Sequence, residues 1–426
     1  MMAIPHHSVL TNTQAADHID QINDDQACEQ QRKQPIIPLD RSKDGTIDEP
    51  INREMPMTEL TASWLTLENN YDRNHGPIQH LDASTHHVKV TGLVHRPLDL
   101  SIADLEAMPQ HKVACSLLCA GNRRHSMRTR IKEVQGIDWF DGAVMNCLWE
   151  GPRLVDVLHQ AGIKYSDSNT RDTKTTDKDD QTTTQQPQHV HFSCHATPVQ
   201  NDEYYGGSIP LSRALDPSMD IILALRMNHG PLPARHGHPV RALIPGVLGA
   251  RSIKWLDQIT ISRHESPNFY QRHDYKILPA AATDPAAAEP YWPTVPAMLD
   301  TPINSCIAHP QPDTTVHRDP TSHKLHVSGY AVPHGADGPT THVSVSGDTG
   351  RSWTDAVLDP GPSEHRSKWT WTLWRVAIDI PPGANKVIWS RATDRGGNTQ
   401  TEERSAWNLR GVGYNGFEAV WGLTVV

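Results

Sequence analysis

The chain has no apolar run that approaches the roughly 20 residues a membrane-spanning helix needs. This excludes an integral membrane protein, and a net charge of −10 gives no general attraction to nucleic acid. We therefore expect neither a membrane nor a nucleic-acid partner. Hydrophobic residues make up only 37% of the sequence, but 426 residues still suffice for two or three domains with substantial cores.

Cysteine is also scarce, with six residues spread along the chain in no tight pattern of spacings. A disulfide-stabilised scaffold is not indicated, and we expect reduced thiols in an intracellular compartment. The N-terminus lacks a basic start followed by an apolar core, so we expect no secretory signal. These absences favour a cytoplasmic location and leave a peroxisomal or mitochondrial one open.

One cysteine has a distinctive setting. Residues 118–124 read Leu-Cys-Ala-Gly-Asn-Arg-Arg, and from residue 111 to residue 132 there are six Lys or Arg residues and no Asp or Glu. A soft thiol beside fixed positive charge suits a thiophilic metal that handles an anion. Taken alone, Cys119 also reads as a buried structural thiol, and its spacing from Cys115 is weak support for zinc.

Over seven consecutive positions this string resembles the molybdenum-cofactor loop of the sulfite oxidase and assimilatory nitrate reductase family. In that family the cysteine of the loop supplies the protein's one ligand to molybdenum, so the resemblance implies that Cys119 is the metal ligand. The implied cofactor is molybdenum-molybdopterin, with no haem and no flavin. The resemblance extends from about residue 58 to residue 421.

Further motifs follow in the family's order, at residues 71–75, 136–139, 232–241, 249–256, 271–276 and 406–412. The resemblance implies that the cofactor is bound by Tyr71, Asp72, Arg73, Asn74, His75, His236, Arg241, Ser252, Ile253 and Lys254. It implies a catalytic role at the substrate for Arg73, Arg124, Trp139, Tyr275 and Arg410. The family's acidic pterin contact has no counterpart at residues 195–197, which read His-Ala-Thr.

Composition and hydrophobic pattern along the chain predict its domain organisation. Residues 1–55 are polar and predict a disordered N-terminal arm, and residues 165–188 predict a polar insertion in a cofactor domain at residues 56–282. An apolar run at 113–118 predicts a strand that ends at Cys119, residues 152–162 predict a helix closed by glycine, and residues 253–262 predict another strand. An Ala- and Pro-rich linker is expected at 283–296.

Residues 297–426 contain short alternating segments, such as residues 325–332 and 341–346, which predict a β-sandwich. The family resemblance implies that this is an immunoglobulin-like dimerisation domain, and therefore a homodimer. The expected fold class is α+β, with a mixed α/β molybdenum-cofactor domain followed by the sandwich.

Two positions favour sulfite over nitrate as the substrate within the family. Sulfite-oxidising members carry a tyrosine and a third arginine where nitrate reductases usually have uncharged residues, and here these positions hold Tyr275 and Arg410. A third guanidinium also favours the more highly charged anion. We expect oxidation of sulfite to sulfate, with electrons passed to oxygen or to a soluble, cytochrome-like protein.

Three other functions stay open on the sequence. They are a nitrate reductase-type molybdenum module, a non-catalytic cofactor-binding homodimer, and a hydrolase with a cysteine nucleophile. The hydrolase is disfavoured because no His-Asp partner can be assigned to the cysteine and the arginines would have no task.

Overall fold

The computed structural model describes residues 44–66, 71–164, 188–401 and 407–426. Residues 1–43 and 165–187 hold most of the predicted arm and insertion, and they lie outside the described residues. Among the helices that are described, none has the length and hydrophobicity that crossing a bilayer requires.

The strands, in chain order, are β1 (His87–Gly92), β2 (Leu98–Ser101), β3 (Gln110–Leu118), β4 (Val144–Pro152), β5 (His189–Cys194), β6 (Tyr205–Pro210), β7 (Ile222–Ala224), β8 (Arg226–Met227), β9 (Gly230–Pro231), β10 (Arg241–Leu243), β11 (Gln258–Ser262), β12 (Asn304–His309), β13 (Thr315–Val316), β14 (Leu325–Val332), β15 (Thr340–Ser346), β16 (Thr354–Asp355), β17 (Val357–Asp359), β18 (Thr372–Ile378), β19 (Gly383–Asp394) and β20 (Glu418–Val425). The α-helices are short: α1 (Met57–Leu60), α2 (Ile102–Ala107), α3 (Arg124–Arg130), α4 (Leu154–Ala161), α5 (Leu211–Leu215), α6 (Phe269–Arg272) and α7 (Pro285–Ala288).

The first half of the unit contains a mixed five-stranded sheet and an antiparallel four-stranded sheet. The mixed sheet has the order β2-β1-β11-β5-β6, with β1 parallel to β11. Helix α4 packs against it because Leu154, Val157 and Leu158 fall on one face and are fully buried. The second sheet has the order β3-β4-β8-β9, and its strand β3 is buried from Val113 to Leu118.

The second half is a β-sandwich. One sheet has the order β12-β14-β18-β17 and the other the order β13-β20-β19-β15-β16. Alternate side chains of both sheets meet in one core, for example Leu325 and Val327 of β14 with Val343 and Val345 of β15. The predicted α+β class, with a mixed domain followed by a sandwich, is confirmed.

Contacts between the two halves converge next to the cysteine loop. The Asn122 side-chain amide donates to the Tyr330 hydroxyl at 3.0 Å, and the buried Arg123 guanidinium donates to Asn304 at 2.7 Å. Residues 45–426 form a single compact unit. The loop that carries the thiol is therefore held from both sides.

Three predicted boundaries differ from the structure. Residues 45–55, placed in the disordered arm, instead lie against the cofactor domain, where the Arg53 backbone pairs with that of Asp72. The linker at 283–296 contains helix α7, which buries Ala288. The strand predicted at 253–262 begins only at Gln258, because Trp255 has a positive φ of 52° that ends extended structure.

Candidate active site

The thiol of Cys119 lies just beyond strand β3, at a tight turn. Its amide still pairs with the carbonyl of Ala143 at 3.0 Å, and its carbonyl accepts from the amide of Asn122 at 3.0 Å. Gly121 leaves room for the guanidinium group, because a Cβ at that position would lie 2.6 Å from the Arg124 guanidinium carbon and would displace it. The turn therefore brings an arginine over the end of the strand that delivers the thiol.

Two cavities meet at this loop. Cavity A has a volume of about 820 Å³ and cavity B a volume of about 760 Å³, and Cys119 and Arg73 line both of them. Cavity A also contains most of the residues predicted to bind the cofactor, namely Tyr71, Asn74, His75, His236, Arg241, Ser252 and Lys254, together with Tyr275. Cavity B contains the other predicted catalytic residues, Arg124, Trp139 and Arg410.

Cavity A is basic and has no Asp or Glu among the described residues that line it. Arg241 donates to the carbonyls of Ser252 at 2.7 Å and His236 at 3.1 Å, while its Nε has no hydrogen-bond partner among the described residues. Burial lowers the pKa of Arg241 to about 10 and that of Lys254 to about 7. Buried positive groups in a cavity whose described lining has no carboxylate favour an anionic ligand.

A chain of hydrogen bonds links the two cavities. The Arg73 Nη2 lies 3.2 Å from His75 Nδ1, and His75 Nε2 lies 2.8 Å from the Tyr275 hydroxyl. Burial lowers the pKa of His75 well below its usual value, so the ring is neutral at neutral pH. Since an arginine can only donate, Nδ1 is the acceptor and Nε2 carries the hydrogen. The Tyr275 oxygen therefore accepts from His75, and the Tyr275 side chain is also hydrogen-bonded to that of Tyr205.

The arginines of cavity B come from three distant parts of the chain. Arg124 is fixed by the carbonyls of Arg410 at 3.0 Å and Ile137 at 2.7 Å, and burial lowers its pKa to about 10. Arg410 forms an ion pair with Asp274. One of the three guanidinium groups predicted at the substrate therefore already has a carboxylate partner.

Cys119 itself is 6% exposed. Burial raises the pKa of its thiol, and the charges of Arg124 and Arg73 oppose that shift. Among the described residues, no three His, Cys, Asp or Glu side chains converge on a point that could hold a metal ion. A metal at Cys119 would thus need its other ligands from a bound cofactor.

Two predicted cofactor residues do not line either cavity. The Asp72 side chain is fully buried and pairs with Arg53, with Arg235 at 3.8 Å. The Ile253 side chain belongs to the hydrophobic core, and its carbonyl accepts from the Ala242 amide at 3.0 Å. The predicted cofactor contact of Ile253 is through its backbone, so both contacts stay predictions, and the Asp72 carboxylate offsets the charge of the arginines behind the cavity.

Sequence reasoning missed several lining residues. Asn52 lines cavity B from the segment taken for a disordered arm, and its Oδ1 accepts from the Arg73 Nη1 at 3.0 Å. Asp274 also lines cavity B and was not predicted, although it precedes Tyr275 in the motif at residues 271–276. Thr197 lines cavity A in the region where the acidic residue of the family is missing.

Comparisons with known proteins agree with this geometry. Residues 75–270 match the family described as "Oxidoreductase molybdopterin binding domain", and residues 295–421 match the "Mo-co oxidoreductase dimerisation domain". The chain is 36% identical over 375 residues to the sulfite oxidase of Arabidopsis thaliana, a match that covers 85% of this chain and 89% of the plant protein. This chain belongs to the sulfite oxidase family.

Another sulfite oxidase family member, the mitochondrial sulfite oxidase of Rattus norvegicus, is 36% identical over 381 residues. That match covers 87% of this chain but only 64% of the rat protein, so the chain spans less than two thirds of that relative. The sulfane dehydrogenase SoxCD of Paracoccus pantotrophus shares the fold, with a TM-score of 0.67 and 22% identity over 86% of this chain and 83% of that one.

The described residues fit the molybdenum cofactor of this family. Cavity A offers buried polar atoms that lack partners among the described residues, the Nε donor of Arg241 and the Nε2 of His236, beside Lys254. Such donors suit the phosphate and polar edge of a pterin. At the junction with cavity B, Cys119 offers a single sulfur to a metal that brings its remaining ligands with it.

Proposed function

We propose that the protein is a molybdenum-dependent oxidoreductase that oxidises sulfite to sulfate and passes the electrons to an external acceptor. The observation that carries the proposal is the position of Cys119 and Arg73, which line both cavities. A cofactor in cavity A would then face an anion in cavity B. The family membership supports the same assignment.

The residues of cavity A would hold the cofactor. Arg241, Lys254 and His236 would bind its anionic end, and Cys119 would be the single protein ligand to molybdenum. When bound, the cofactor supplies the two-electron redox chemistry. The protein supplies fixed positive charge, a buried thiol and a cavity that excludes most water.

The residues of cavity B would orient the substrate. Arg124 is held rigidly by two carbonyls, so its guanidinium is already placed before an anion arrives. Arg73 is placed in the same way by Asn52 and His75. Arg410 would be the third arginine at the substrate, and it would bind the anion while it also pairs with Asp274.

Tyr275 would take part in proton transfer in this reaction. Its oxygen accepts from the neutral His75, and burial raises the pKa of its hydroxyl well above the usual value. The hydroxyl therefore stays protonated at neutral pH beside the cofactor in cavity A, where it can act as a proton donor. Buried Trp139 would form part of the cavity wall.

A steady-state assay of molybdenum-loaded protein tests this proposal. We expect sulfite-dependent reduction of ferricyanide, with one sulfate formed per two ferricyanide ions reduced. A matched assay with reduced viologen and nitrate tests the nitrate reductase alternative, which would give nitrite and no sulfate. Loaded protein that is inert to both anions would support the non-catalytic alternative instead.

Three features of the protein stay proposals, the first two from the family and the compartment from the sequence alone. The dimerisation domain supports a homodimer. The acceptor is proposed to be oxygen or a soluble, cytochrome-like protein, and the compartment to be the cytoplasm. Haem and flavin are not required by the residues of either cavity.

A further inference from the structure

The charges of cavity B balance one another. Its lining contains Arg73, Arg124 and Arg410 together with three carboxylates, Asp48, Glu49 and Asp274, so these six side chains have a formal sum of zero. The Asp274 side chain is only 10% exposed, and its ion pair with Arg410 is therefore poorly screened by solvent. A paired guanidinium attracts a second anion less strongly than a free one, which reduces the advantage of a dianion over a monoanion.

Cavity B also has apolar side chains that an inorganic anion does not need. Pro50, Ile137 and Trp139 line it with the arginines. Ile137 is unusual among them, because an aliphatic side chain is left 36% exposed at an anion site. Removal of this surface from water would stabilise a ligand that brings an apolar group of its own.

The size of cavity B allows such a group. Its volume of about 760 Å³ includes its opening to solvent, whereas one water molecule occupies about 30 Å³ in the liquid. Sulfite has only four non-hydrogen atoms and fills a small part of this space. Room therefore remains beside the arginines for a substituent of several carbon atoms.

We propose that this site also oxidises small organic sulfinates, RSO2−, to the corresponding sulfonates. The inference rests on the proposed sulfite oxidation, because it uses the same cofactor and the same arginines. A sulfinate is sulfite with one oxygen replaced by a carbon substituent. It keeps two oxygens for guanidinium groups and a lone pair on sulfur, carries one negative charge, and presents an apolar group to Ile137.

The reaction balances as RSO2− + H2O → RSO3− + 2H+ + 2e−. One S–O bond forms with the oxygen of water, both O–H bonds of that water break, and two protons are released. Sulfur loses two electrons, which pass to the enzyme's electron acceptor. In the assay that acceptor is ferricyanide, and two ferricyanide ions are reduced for each sulfinate.

The test compares sulfite, methanesulfinate and benzenesulfinate on one preparation of molybdenum-loaded protein. We expect both sulfinates to yield sulfonate, with two ferricyanide ions reduced per product. Benzenesulfinate should show a KM about tenfold lower than methanesulfinate, because its ring contacts the apolar side chains. Normal turnover of sulfite with no sulfonate from either sulfinate would overturn this inference alone. Sulfonate formation without sulfite turnover would support the inference and contradict the proposed function.

Two further measurements distinguish a site that recognises the substituent of a sulfinate from slow, non-specific oxidation of sulfinates. Ile137→Ala should reduce the preference for benzenesulfinate over methanesulfinate about three- to tenfold, whereas the matched Ile137→Val should change it little. Calorimetry on the loaded protein should show that methanesulfonate, which does not turn over, binds at least as tightly as sulfate. An unchanged preference in Ile137→Ala, or binding of sulfate with none of methanesulfonate, would contradict the inference.

Discussion

Replacement of Asn52 by alanine gives a test of how the structure positions Arg73. The Asn52 Oδ1 accepts two hydrogen bonds, from the Arg73 Nη1 and from the Asn74 amide, each at 3.0 Å. Asn74 is only 3% exposed, so its amide would lose its partner in a nearly dry setting. An unsatisfied buried donor costs about 1–3 kcal/mol, and since Asn52 is half-buried and water can partly replace it, we expect a loss of about 2 kcal/mol in the free energy of unfolding.

The same substitution should change the KM for sulfite more than it changes kcat. The Arg73 Nη1 would keep its contact with the Asn74 carbonyl and the Nη2 its contact with His75, but the Nη1 would lose its second acceptor. A loss of about 1 kcal/mol in anion binding raises the KM for sulfite roughly fivefold, with a smaller change in kcat. Urea unfolding and steady-state kinetics on molybdenum-loaded protein measure the two effects.

The Asn52→Asp variant is the matched control. It keeps the acceptor oxygen but loses the Nδ2 that donates to the Pro50 carbonyl at 3.0 Å, so the free energy of unfolding should fall less than in the alanine variant. It adds a negative charge beside Arg73 and should raise the KM for sulfite at least as much as the alanine variant does. If Asn52→Ala left both the stability and the KM unchanged, Arg73 would not depend on this residue and the reasoning would be wrong.

Three further predictions concern the cavities and the segment that borders them. Cys119→Ser should remain folded and retain the pterin, visible by its fluorescence, but lose nearly all sulfite oxidation; near-normal activity would refute ligation of molybdenum by Cys119. Arg73→Gln should raise the KM for sulfite more than it lowers kcat, and an unchanged KM would remove Arg73 from the substrate site. Burial raises the pKa of Glu54 from 4.5 to about 7, so the folded state binds a proton that the unfolded state releases and stability should fall as pH rises through that window. Glu54→Gln should flatten this dependence in urea unfolding, and an unchanged slope would contradict it.

The strands that carry the fold could be predicted because their side chains alternate or are wholly apolar. The run that ends at Leu118 became β3, and the alternating segment from Leu325 became β14 with both bounds as expected. The helix ended by Gly162 was predicted for the same reason, since its apolar residues recur at helical spacing and the glycine has a φ of 66°. Apolar residues that recur at strand or helix spacing indicate directly which face of the element is buried.

The segment at residues 45–55 could not be predicted in this way. It has no apolar periodicity, and its order comes from individual polar contacts with distant residues, such as those of Asn52 with Arg73 and of Glu54 with the amides of Phe140 and Gly142. The pairing of Arg410 with Asp274 joins residues 136 positions apart and leaves no local signal. Motif resemblance identified the arginine but not the carboxylate that balances it.

The most direct test of the account is an anaerobic titration of the molybdenum-loaded protein with sulfite, without any added electron acceptor. The account predicts that one sulfate forms per molybdenum atom, and that protein prepared without molybdenum forms none. Loaded protein that leaves sulfite unchanged, or metal-free protein that yields as much sulfate, would contradict it.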